Sequence, residues 1–306
     1  MAKKSKARKP AAQQKEGELE GTDQPSSDMS QAVVGYFPFA GYTSVVGVHT
    51  TLLAFSALFL PRTTDVFELL APEVETTSKD RPQHPFLDTL TRNPAATLVC
   101  ICAGAVVLQS WWGGWVRGWA IDYVLHGAGL ERQLDRARMD ERKLTSVFHA
   151  WLTTAAASAI FHGVLVLFGA PLASHIWKTY LLSFLISVLT VFPPAYTLGC
   201  PLIMSAPDAV MTRMTWVRVF AEFSTRTPVE RALLYPAVGT ILGCWAGAIP
   251  IALDWDRPWQ AWPLTPAFGA VAGYIVSSIA ALTANAVRFF ADEHLRTLRE
   301  AKMKTN

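Results

Sequence analysis

The chain has 306 residues, of which 51% are apolar and 17% charged, with a formal net charge of +3. A soluble globular domain carries about a quarter charged residues, so this composition excludes an ordinary water-soluble domain. The small basic excess is spread over several segments, which excludes a nucleic-acid-binding surface and fits anchoring at a membrane.

Residues 1–30 are mainly Lys, Ala, Gln, Glu, Ser and Pro with no apolar run. They predict a disordered cytosolic tail without a signal peptide. Residues 31–306 read as a single polytopic membrane domain. Six apolar blocks follow, at 38–60, 95–115, 147–170, 176–200, 233–253 and 266–290. Each approaches the ~20 residues that a helix needs to cross a bilayer. None alternates with the period of a strand, and backbone groups in lipid must pair internally, so helices are expected. The fold class is therefore an all-α integral membrane protein, a bundle of six transmembrane helices.

Placing both termini in the cytosol puts 21 of the 27 Lys and Arg residues on that side and five on the other, with Lys178 inside a span. That asymmetry sets the expected orientation.

Between the blocks, residues 62–94 are rich in Pro and acids and predict an irregular outside loop. Residues 130–143 predict a charged cytosolic helix. Residues 206–226 predict an amphipathic helix in the cytosolic interface, with Ser205 as its cap. Its polar stripe is Thr212, Thr215, Arg218 and Glu222; its apolar side is Val210, Met214, Val217 and Ala221, widened by Trp216, Phe220 and Phe223. Thr227-Pro228-Val229-Glu230 predicts a capping box that opens the fifth span.

Trp111, Trp112, Trp115 and Trp119 cluster at one end of the second span, as a headgroup-level belt would. Gly239, Gly243 and Gly247 recur every four residues in the fifth span; Gly269, Gly273, Ser277, Ala281 and Asn285 do so in the sixth. Ala155, Ala159 and Gly163 form a weaker stripe in the third. Such faces let helices approach closely, and packing within the chain is the expected use.

Cys100, Cys102, Cys200 and Cys244 lie in or at the ends of spans and read as small core residues, without a disulfide framework. His49, Gln109, His162, Lys178 and Asn285 are the polar residues placed in the membrane. Intramembrane polar groups mark function or bonds between helices; without an accompanying acid and base, the structural role is expected. The chain holds no HExxH, G-x-S-x-G or P-loop pattern, and no catalytic residue, cofactor or metal site is expected.

DWDRPWQAWP, residues 254–263, lies on the outside face between the last two spans. Asp254 and Asp256 form a D-x-D that can hold a divalent ion against a lipid phosphate. The structural reading has Trp255, Trp259 and Trp262 on one helical face, Asp256 as a cap and Asp254 paired with Arg257.

From Gly247 to Pro263 the sequence GAIPIALDWDRPWQAWP resembles the PIG-F family pattern G-A-x-P-I-P-L-D-W-x-R-P-W-Q-x-W-P, departing from it at Ala252. Leu167-Phe168-Gly169-Ala170-Pro171 is similar to a second family segment, and the resemblance runs from about Val147 to Phe290. It implies a multispanning endoplasmic-reticulum protein of glycosylphosphatidylinositol (GPI) anchor biosynthesis. By that resemblance it is a non-catalytic subunit that stabilises large ethanolamine-phosphate transferases (PIG-O-like and PIG-G-like) adding phosphoethanolamine to GPI mannoses. Asp254, Trp255, Asp256, Arg257, Pro258, Trp259, Gln260 and Trp262 then become a contact surface for partner or lipid, a GPI intermediate included. Lys302 and Lys304 at the C-terminal end look like a dilysine retrieval signal. A metal-dependent membrane enzyme acting on a lipid phosphate through Asp254 and Asp256, and a lipid transporter, are the alternatives.

Overall fold

The computed structural model describes residues 37–63, 84–124, 137, 142–171, 173–201, 207–253, 255 and 257–305. The expected N-terminal tail, most of the 130–143 segment, Ser205, Asp254 and Asp256 lie outside the described residues. Among those described, every regular element is helical.

Helix α1 is Phe39–Phe59, followed by a 3-10 turn at Leu60–Thr63; α2 is Pro85–Thr91, α3 Pro94–Val124 and α4 Lys143–Leu167. Helices α5 (Ile176–Thr190) and α6 (Phe192–Leu198) share the fourth apolar block, and α7 is Pro207–Trp216. Helix α8 is Pro228–Ala248 and α9 is Leu264–Thr305. Six helical segments are long and apolar enough to cross a membrane, as the composition requires.

The ends follow from local chemistry. Thr227 accepts from the Glu230 N–H at 3.1 Å, and Glu230 accepts from the Thr227 N–H at 3.4 Å, so the expected capping box opens α8. The α5–α6 break falls at Val191, just before Pro193 and Pro194. Neither proline has an N–H, so the carbonyls four residues back lose their helical partners. Helix α6 stops at Gly199, whose φ is +92°. Its orphan carbonyls find side chains: Arg117 donates to Tyr196 O at 2.7 Å and Trp216 Nε1 to Gly199 O at 2.9 Å. Helix α4 ends with Ala170 N–H on Leu165 O and Gly169 N–H on Val166 O, both 3.0 Å. With Gly169 at φ +98°, this is a Schellman end, the local structure made by LFGAP.

The fourth block is the centre of the bundle. Of its apolar window 78% is buried, against 17% for α4 at the periphery. Leu182, Leu185 and Leu189 of α5 meet Leu53 of α1, Leu98 and Ile101 of α3, and Val271 and Tyr274 of α9.

Several expectations change. Residues 62–94 are not irregular throughout, because 85–91 form α2. Its first turn is capped by His84 Nδ1, which accepts from Phe86 N at 3.1 Å, and Pro85 stands at its start. Arg62 packs 3.7 Å from the Phe86 ring and donates to Phe86 O at 2.8 Å, tying α2 to the end of α1. Of the four-Trp cluster, Trp112 and Trp119 are buried in the core with Tyr42 and Val116, so only Trp111 and Trp115 can serve a belt. On the 207–221 segment, Arg218 of the expected polar stripe turns inward to Glu230. Cys100, Cys102 and Cys244 are buried as expected; Cys200 is only half-buried.

The three small-residue stripes also part company. Helices α8 and α9 make the most extensive contact in the molecule. A Cβ at Gly243 would run into the Gly269 carbonyl oxygen and lie 2.9 Å from Gly273 Cα. Gly239 faces Ser277 and the Gly273 carbonyl, and Gly247 faces Pro266 Cα at 2.9 Å. By contrast, Ala155, Ala159 and Gly163 of α4 are exposed, with nothing within 4 Å of a Cβ at Gly163. Packing within the chain accounts for the first two stripes and not for the third.

Candidate functional site

The segment joining α8 to α9 is held by its own backbone needs. Helix α8 tightens into a 3-10 turn at Ile249–Ala252, and Pro258–Gln260 forms a second turn begun by its proline. Leu253 and Arg257, at ψ 137° and 140°, are extended. The backbone groups here cannot bond as helix or sheet, so each needs a local partner.

Gln260 supplies three of them. Its Oε1 accepts from the Arg257 N–H at 2.8 Å; its Nε2 donates to Pro250 O at 2.6 Å and to Leu253 O at 2.7 Å. One side-chain amide thereby bridges the end of α8 to the turn before α9.

The three tryptophans do not share a helical face, because among the described residues of 253–262 the helical turn covers only 258–260. Trp255 and Trp259 meet edge to face at 5.6 Å. Trp262 leaves them and donates from Nε1 to Thr179 Oγ1 at 3.0 Å, fastening the segment to central α5. Trp259 walls a half-open apolar pocket of about 260 Å³ with Leu87 and Leu90 of α2, Pro250, and Leu264 and Phe268 of α9. Arg257 and Pro258 are half-buried.

Helix α2 and Thr179 escaped sequence reasoning. For α2 a signal existed: a proline start, Asp88 in the first turn and apolar Leu87 and Leu90 three apart. Nothing in the sequence marks Thr179, which lies 83 residues from its partner.

One face of α8 continues outward into this segment. Leu242, Trp245, Ile249, Leu253 and Trp255 are all exposed, Trp245 by 67%. Gly239, Gly243, Gly247, Gly269 and Gly273 lie between α8 and α9, where they set the distance between the helices. Lys302 and Lys304 lie exposed in the last turn of α9. Asp254 and Asp256 lie outside the described residues. Among the described residues no group of three or more His, Cys, Asp or Glu is placed to hold a metal ion. What the arrangement offers is a braced surface, apolar and aromatic, at the end of a tight helix pair.

Two of the five intramembrane polar residues, Asn285 and Gln109, bond between helices. Asn285 of α9 accepts from Arg231 Nε at 2.5 Å and donates to Pro228 O at 3.1 Å, both on α8. Gln109 of α3 accepts from the Tyr274 hydroxyl at 3.3 Å. His49 is buried and stacks on Trp112 at 5.1 Å.

The comparisons with known proteins agree with one another. The human "GPI ethanolamine phosphate transferase, stabilizing subunit" is 28% identical over 183 residues, covering 60% of this chain and 73% of that protein. The mouse protein of the same description is 33% identical over 120 residues, 39% of this chain and 50% of the relative. "Glycosylphosphatidylinositol anchor biosynthesis protein 11" of Pyricularia oryzae is 36% identical over 140 residues, 46% of this chain and 47% of the relative. The match thus spans about half the length of the mouse and Pyricularia proteins. No solved structure matches. The model of the GPI biosynthesis protein family Pig-F matches residues 83–282, so the likeness starts before α2 rather than near Val147. A bundle of six apolar spans, closed by the Gln260-braced segment and matched over most of its length, belongs to the PIG-F family of GPI biosynthesis proteins.

Proposed function

We propose that this protein is the accessory, non-catalytic subunit of GPI ethanolamine-phosphate transferases in the endoplasmic-reticulum membrane. The relatives described as stabilizing subunits support that role. PIG-O-like and PIG-G-like enzymes are the partners we infer. In this reading both termini are cytosolic, the 206–226 helix lies in the cytosolic interface, and Lys302 and Lys304 serve retrieval. Residues 1–30 are assigned to a cytosolic tail and 31–306 to a single membrane domain. Residues 254–263 face the lumen, where Trp255 and Arg257 meet the partner or its lipid.

One observation carries the choice of contact face. Trp245 is exposed in the middle of a span, away from the headgroup levels where tryptophan is ordinarily enriched. Buried aromatic anchors dominate association energies, and Trp245, Ile249 and Trp255 are all exposed. Affinity purification from membranes tests this. The wild type co-purifies an ethanolamine-phosphate transferase, and Trp245→Ala with Trp255→Ala lowers its yield about tenfold, the loss that 1.4 kcal/mol of contact energy produces. Absence of any transferase from the wild-type sample would refute the function; undiminished recovery in the double variant would refute the face alone.

A further inference from the structure

The half-open pocket beside Trp259 lies where the ends of three spans meet. Leu87 and Leu90 come from α2, just before α3 begins. Pro250 lies at the end of the α8 span, and Leu264 and Phe268 lie at the start of α9. The walls are fixed by contacts of their own. At the floor, Gly247 brings α8 against Thr265 and Pro266 of α9, backbone on backbone. Gln260 donates to Pro250 O at 2.6 Å, holding it beside the turn that carries Trp259. Arg62 donates to Phe86 O at 2.8 Å and so anchors α2. A site built in advance loses little order when it takes a ligand.

The lining surface is carbon. Its two hydroxyls are turned away: Thr91 donates to Leu87 O at 2.9 Å, and Thr265 Oγ1 is buried. A charged or hydrogen-bonding ligand would lose its water there and gain no partner. Water itself needs polar groups to hold it, and an apolar cavity of about 150 Å³ stays dry and takes benzene. At about 260 Å³ this pocket has room for a longer run of hydrocarbon. None of Leu242, Trp245, Ile249, Leu253 and Trp255, the exposed face proposed for the partner, lines it.

We propose that this pocket holds a segment of one acyl chain of a membrane lipid. Its lining comes from span ends, so lipid chains are the hydrocarbon at hand. Among lipid, close packing rather than hydrophobic drive selects what fills a space. A flexible chain adapts to the gap between α2 and Trp259 and gains dispersion contacts on every side. The site is separate from the transferase contact and does not depend on it.

Photolabelling of the purified full chain tests the proposal. The chain is reconstituted in phosphatidylcholine vesicles in which part of the lipid carries a diazirine on an acyl chain. It is then extracted into detergent and freed of loose lipid before irradiation. Retained lipid labels the peptides holding Leu87, Leu90 and Phe268, and not those of the exposed α4 face at Leu152 and Ile160. Leu87→Trp, which fills the space from a half-buried position, lowers that label about tenfold, as a 1.4 kcal/mol loss of affinity does. Leu87→Met leaves it unchanged. Leu87→Phe makes the same test if the larger ring prevents folding. Equal labelling of the lining and of α4, or an undiminished label in the filled variants, overturns the proposal. So does a lining left unlabelled, as when protein rather than lipid fills the pocket. Label that appears in detergent but not in the cell membranes the chain came from assigns the pocket to a side chain of a protein partner and likewise overturns it.

Discussion

Gln260 shows how much one side chain can organise. Its amide closes three hydrogen bonds to backbone groups that neither flanking helix can satisfy. Replacing it with Leu keeps the bulk and strands those groups; an unsatisfied buried polar group costs about 1–3 kcal/mol. Gln260→Leu is therefore expected to lower the melting temperature of the detergent-purified protein. Gln260→Glu keeps the acceptor for Arg257 N–H, loses both donors and falls no less far. Sequence alone put Gln260 in a recognisable pattern and, by the resemblance, gave it a contact role, not the brace within the chain that it forms. Its partners at Pro250 and Leu253 become neighbours only when the chain doubles back between α8 and α9. Thr179 was invisible for the same reason, since its bond to Trp262 joins elements far apart along the chain.

Between elements, spacing alone did not distinguish a stripe that is filled from one that is not. Small residues every four positions mark α4, α8 and α9 alike. Only α8 and α9 bring their stripes together, so closely that the Gly269 and Gly239 carbonyl oxygens occupy the space a Cβ at Gly243 or Gly273 would need. Overpacking a tight contact costs about 1–3 kcal/mol, occasionally more, and here backbone rather than a flexible side chain must move. Gly243→Val is expected to lower stability by at least that amount. Gly163→Val, at an open position in α4, is expected to stay within about 0.5 kcal/mol of the wild type. Thermal unfolding of both variants in one detergent measures the difference; equal losses would mean that α8 and α9 do not pack as described. The capping box at Thr227 was legible beforehand because its partners are three residues apart. The inward turn of Arg218 was not, since Glu230 lies across a bend in the chain.

For the molecule as a whole, the proposed orientation makes a direct prediction. Epitopes added at either terminus should be reached by antibody when only the plasma membrane is permeabilised, and an Asn-x-Thr acceptor inserted in 64–83 should be glycosylated. A glycosylated terminus would reverse the topology. The sequence by itself determined six apolar segments, because a bilayer fixes their length and forces internal backbone pairing. It also determined the family resemblance, carried by a continuous run of residues. Tertiary structure decided that the fourth segment is central, that α2 and Trp259 share a pocket, that Trp112 and Trp119 are core, and that Arg218 rather than Arg231 takes the Glu230 carboxylate. Hydropathy is a property of each segment. Which side of a helix meets another helix, and which charge meets a carboxylate, depends on long-range packing that no local pattern encodes.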